Sequence, residues 1–167
     1  MAYKDALIAD LKFEGMQTKK ILEKVPIDKA SWKPHERSMS LGRLATHIAE
    51  IPQWASRIVT MDEFDFAVHG FSTYTAVSNE ELLYIFQEKL DYALRDLDSM
   101  TDEDFEKTWT VRRGEVVFSK AKKKAVIRGW CHSHLIHHRG QLSVYLRLLD
   151  VPVPGMYGPS ADENNFG

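Results

Sequence analysis

Along residues 131–149, Cys131, Leu135, His138, Leu142, Tyr145 and Leu149 recur at steps of 4, 3, 4, 3 and 4. That alternation follows one face of an α-helix and does not suit the period of two that a half-buried strand requires. A second stretch obeys the same rule: Leu44, His47, Ile51, Trp54 and Ile58 step by 3, 4, 3 and 4. Each stripe carries a histidine among apolar residues, so the core they bury contains imidazole.

Two further segments have helical period. Residues 3–24 place Ala6, Leu7, Leu11, Phe13, Met16, Ile21 and Leu22 among lysines and acids, and Pro26 ends the run. Residues 78–100 open with Ser78-Asn79-Glu80-Glu81, read as a capping box, and continue through Leu82, Phe86, Leu90, Ala93 and Leu97. Ser40 is the expected N-cap of the second helix, and Pro52, inside its stripe, removes the bond to the Ile48 carbonyl and predicts a kink. The last helix is expected over 123–149. Residues 63–77 lack helical period and read as a loop, whereas "TWTVRRGEVVF" alternates around Arg113-Gly114 and predicts a short hairpin; segments 63–77 and 109–122 are expected to rim the pocket.

Four long amphipathic helices with medium connections predict an all-α four-helix bundle with that hairpin before the last helix. A chain of 167 residues is in the single-domain range, so residues 1–167 are read as one bundle domain.

The charge balance narrows the partners. Twenty-two basic against 24 acidic residues give a formal charge of −2, with no basic surplus to hold nucleic acid. The run "KAKKK", 120–124, reads as a solvated helix entrance. No apolar run approaches the roughly 20 residues that span a bilayer, so no membrane role is expected. The single cysteine, Cys131, cannot form an internal disulfide, and the N-terminus is charged rather than signal-like. A cytoplasmic protein handling a small molecule is expected.

Four of the seven histidines fall between 132 and 138. Helical residues four apart lie about 40° apart around the axis. His134 and His138 have that spacing, and His138 sits on the apolar seam. His137, three from His134, is the alternative partner; His132, about 160° from His134 by the same geometry, is expected at the surface. His47 adds an inward imidazole from another helix. Three buried imidazoles without partners would be costly, and a metal ion satisfies them together. Three nitrogen ligands also leave an open position for water or substrate. The sequence holds no Glu-x-x-His pair, His-Glu-x-x-His, Walker or dinucleotide fingerprint, which sets aside the common alternatives. Glu50, three residues after His47, is a candidate base or orienting group. Arg139 is a candidate anion clamp or ion-pair partner across the bundle, and Tyr145 a candidate pocket wall.

Two blocks, "SWKPHERSMSLGRLATHIAEIPQW" and "HSHLIHHRGQLSVYLRLLDVPVPGMYGPSADE", resemble the DinB/YfiT-like superfamily of metal-dependent four-helix bundles. The resemblance implies one divalent ion, nickel or zinc, held by His47, His134 and His138. It also implies chemistry like that of relatives that use a low-molecular-weight thiol, the bacillithiol S-transferases and mycothiol-dependent maleylpyruvate isomerase, and a homodimer. The expected activity is thiol-dependent transfer or hydrolysis on a small electrophile. The competing expectation is a stress-related small-molecule-binding or interaction protein with a structural metal and no turnover.

Overall fold

A computed structural model describes residues 3–163. The chain runs α1 (Tyr3–Leu22), a 3-10 turn (Ile27–Lys29), α2 (Leu41–Glu50), α3 (Gln53–Thr60), β1 (Glu63–Asp65) and α4 (Phe66–His69). It continues as α5 (Asn79–Asp98), α6 (Asp102–Glu106), β2 (Thr108–Arg113), β3 (Val116–Lys122), α7 (Lys123–Ile127), a π-helical segment (Arg128–Ser133) and α8 (His134–Leu148).

The expected all-α four-helix bundle is corrected by a three-stranded mixed sheet of order β1-β2-β3. The expected hairpin forms, but it turns at Gly114-Glu115, one residue later than Arg113-Gly114, and Gly114 takes a φ of 56° that favours glycine. The third strand comes from the segment read as a loop: Glu63, Phe64 and Asp65 pair in parallel with Thr110, Val111 and Arg112. Trp109 and Val111 turn inward on β2 while their neighbours are more exposed, the alternation of a one-sided sheet. The Trp109 indole N–H donates to the Met61 carbonyl at 3.0 Å, fastening the sheet to the end of α3.

The helices share one core. α5 packs on α1, α2 and α3, and α8 lies between α1 and α2. Leu11, Leu44, Ile48, Ile58, Leu97, Leu135 and Leu142 are wholly buried there. Pro52 breaks the second helix rather than merely bending it. α2 ends at Glu50, and α3 restarts with tighter bonds from Trp54 to Ile51 and from Ala55 to Pro52.

Ser78 caps α5 by accepting from the Glu81 N–H at 3.1 Å, but the reciprocal half of the expected capping box is absent. The Glu81 carboxylate accepts from the Val77 N–H and the Tyr74 hydroxyl instead, tying down the end of the 70–77 segment. Ser78→Ala should cost about 1 kcal/mol, read as a shift in the denaturation midpoint at unchanged slope. Lys123, expected in solvent, is buried and donates to the Val59 and Met61 carbonyls at 3.2 and 3.4 Å. Among the described residues no helix is long and apolar enough to cross a membrane.

Candidate metal centre

The last helix is continuous from Lys123 to Leu148 but widens over 128–133 into i→i+5 bonding, the form that often marks functional sites. His134 stands at the end of this widened turn and His138 one turn later. His47 reaches them from the last turn of α2. One nitrogen from each of the three rings lies within 4.8 Å of the others, a group that could hold a metal ion. The ring centroids are 4.6 Å apart for His47–His138 and His134–His138, and 5.0 Å for His47–His134.

The outward nitrogens decide what the inward ones offer. A carbonyl only accepts, so the 3.3 Å contact to the Trp130 carbonyl places the His134 proton on Nδ1. His138 Nδ1–H likewise donates to Gln141 Oε1 at 2.7 Å. Both Nε2 atoms therefore present lone pairs, the orientation that outer-sphere partners impose on metal-ligating histidine. His47 Nε2 lies 3.3 Å from His134 Nε2 and without a metal can donate to one lone pair, not to two. The donor set fits a divalent cation of borderline softness such as zinc or nickel.

Burial keeps these imidazoles unprotonated. His47 is lowered to about 3 by desolvation first, then by charge on His138, His134 and Arg43. His138 is lowered to about 4, chiefly by burial, against the opposing bond to Gln141. His134 is lowered by burial too, with His137 adding to it. An unfolded chain binds protons near pH 6.5 that these folded sites refuse, so the unfolded state holds more protons below that pH. The metal-free protein is therefore fully stable above about pH 6.5 and loses stability as pH falls toward 4. Melts of stripped wild type beside His47→Gln between pH 7.5 and 4.5 check this, the wild type having the steeper fall; parallel curves would exclude it.

A cleft of about 370 Å³ opens beside His47 and His134. Trp54, Phe66, Phe71 and Trp130 form its apolar wall, and Arg43, Glu50 and Arg57 its charged rim. Arg43, His47 and Glu50, stepping by 4 and 3, share one face of α2. Glu50 is held by Arg43 Nη2 at 2.7 Å and by the Ser72 hydroxyl, which places it on the cleft wall in a fixed pose.

The remaining sequence candidates lie elsewhere. Arg139 is 2% exposed and forms a buried ion pair with Glu14, the cross-bundle role among its two expected roles. Tyr145 donates its hydroxyl to the Met39 carbonyl at 3.2 Å and packs edge-on against Trp32. His137 is exposed beside His138. His132, expected at the surface, is buried and bonds the Leu7 carbonyl at 3.2 Å. Because α8 and the π segment have neighbours on two sides, the buried arc is wider than the single apolar seam. Cys131 is fully buried, with its thiol pushed up to about 12, so it is a packing residue rather than a nucleophile.

The 63–77 segment does rim the cleft, as expected, but sequence reasoning singled out neither Phe66 nor Phe71 there, and it missed Arg57 and Trp130. Arg57 carried one usable signal, its position three after Trp54 on the same helix; the aromatics of 63–77 carried none, because their placement depends on β1 pairing with β2.

Two solved structures share this architecture. A DinB-like protein of Bacillus subtilis superposes with a TM-score of 0.70 at 20% identity, over 93% of this chain and 99% of that one. A DinB-like protein of Bacillus cereus ATCC 10987 gives 0.68 at 22% identity, over 87% and 92%. No curated protein matches the chain. The model of the DinB family matches residues 1–165, the span that carries all three histidines and both walls of the cleft, and by that match the chain belongs to the DinB family.

Proposed function

We propose that this protein is a metal-dependent enzyme in which His47, His134 and His138 hold one divalent ion, nickel or zinc. Its reaction is thiol-dependent transfer to a small electrophile, or hydrolysis of one. The observation that carries the reading is the convergence of three unprotonated imidazoles, from positions as far apart as 47 and 134, at the mouth of an aromatic cleft.

A divalent ion bound there supplies Lewis acidity and lowers the pKa of a water or thiol at its open position. The chain's own residues do the rest. Trp130 and Gln141 fix the tautomers of His134 and His138. Trp54, Phe66, Phe71 and Trp130 shield the reacting end of a substrate from water and strengthen the local electrostatics. Glu50, clamped by Arg43 and Ser72, keeps a carboxylate next to His47 without leaving it free to swing.

The test is turnover with 1-chloro-2,4-dinitrobenzene and a panel of low-molecular-weight thiols, beside hydrolysis of activated esters. Activity should vanish on exhaustive chelation and return with zinc or nickel. Turnover that survives complete metal removal would overturn the proposal.

A further inference from the structure

Two arginines border the cleft, and they are in different situations. Arg43 is spent: Nη1 donates to the Tyr74 carbonyl at 2.7 Å and Nη2 pairs with Glu50. The Arg57 side chain forms no hydrogen bond and no ion pair among the described residues; the close partners of its guanidinium are π faces. Its guanidinium carbon sits 5.0 Å from the Trp54 ring centroid and 4.7 Å from that of Phe64. Burial pulls its pKa down, with Glu50 opposing from beyond contact distance. A half-buried cation seated beside two rings that stand at 71° to each other keeps its planar fork of donors unused, and that fork matches the two oxygens of a carboxylate.

The rest of the cleft complements the same ligand. Its aromatic wall suits a flat apolar body. Glu50 is neutralised by Arg43, so the rim retains a net positive charge at Arg57. The volume of about 370 Å³ lies at the small end of ligand pockets.

We infer that the cleft binds a small carboxylate with a flat apolar body, its carboxylate on Arg57, its body against Trp54, Phe66, Phe71 and Trp130, and its far end toward His47 and His134. The far end rests on the three-histidine reading; the carboxylate end does not.

Trp54 and Trp130 line the cleft, so intrinsic fluorescence reports occupancy. Cinnamate and benzoate, each beside its neutral amide, are titrated into metal-loaded and metal-stripped protein, wild type and Arg57→Gln. Saturable carboxylate binding is expected, at least tenfold tighter than the amide. It should survive stripping and weaken at least tenfold in Arg57→Gln. Binding that is lost on stripping but unchanged in Arg57→Gln would assign the anion to the ion and overturn the inference while leaving the metal reading intact. Equal affinity for acid and amide, or no saturable binding up to solubility, would overturn it as well. Should Arg57→Gln fail to fold, the acid-over-amide preference of stripped wild type decides. Wild type that purifies and binds no metal, yet prefers the acid, would sink the metal reading alone.

Discussion

His47→Ala should purify with less than a tenth of an equivalent of divalent metal where wild type carries about one, and with no metal-dependent turnover. Losing an outer-sphere partner already costs roughly 10–100-fold in affinity or activity. Removing one of three ligands should cost more, because two imidazoles on α8 cannot close a cage alone. The fold should survive. His47 is only partly buried at the cleft mouth, alanine is a stronger helix former than histidine, and burial of an imidazole is no longer required. Elemental analysis with a far-ultraviolet melt of both proteins reads the two effects separately. His137→Ala is the matched control: an exposed imidazole outside the cluster should leave metal content unchanged. Stoichiometric metal in His47→Ala, or its loss in His137→Ala, would refute the assignment of ligands.

Arg139→Met should lower stability by about 3–5 kcal/mol, the usual result of stripping one partner from a buried ion pair. The guanidinium donates to the Glu14 carbonyl at 3.1 Å and the Thr18 hydroxyl at 3.2 Å, and pairs with the Glu14 carboxylate. Tyr157 adds its hydroxyl to both Glu14 oxygens at 2.9 Å. Without the arginine, a carboxylate with 11% side-chain exposure keeps only that phenol. For a chain of this length the loss amounts to a melting temperature lower by roughly 6–20 °C. Adding Glu14→Gln should restore part of it, because the double variant buries no lone charge. Metal content should not change, since Arg139 turns toward α1 while its neighbour His138 turns toward α2. A loss under 1 kcal/mol, or metal lost with the arginine, would contradict this account.

The helical seams were readable because their cause is local: apolar side chains at 3- and 4-residue steps must share a face. From that alone His47 and His138 could be turned toward a common interior; His134 was favoured by its four-residue spacing from His138, with His137 left as the alternative. The sheet was not readable in the same way. β1 is three residues long, too short for alternation to show, and it exists because it pairs with a strand more than 40 residues later. Its arrival places Phe66 and Phe71 on the cleft, so that wall was as hidden as the strand. His132 failed for a related reason: the number of neighbours around the last helix is tertiary information. Lys123 shows the limit of charge-based reading, since a lysine amid lysines is buried where the last carbonyls of α3 need a donor.

The buried knot of Glu14, Arg139 and Tyr157 also has a consequence in time. During synthesis Glu14 leaves the ribosome 125 residues ahead of the arginine that neutralises it. At about 5–20 residues per second, that is a wait of roughly 6–25 s. Throughout it the Glu14 carboxylate lacks its arginine; α5 can pack on α1 earlier, but the face of α1 that seats on α8 stays uncovered until α8 has emerged. For a nascent chain, the α8-facing side of α1 is an apolar surface that a chaperone has that long to hold.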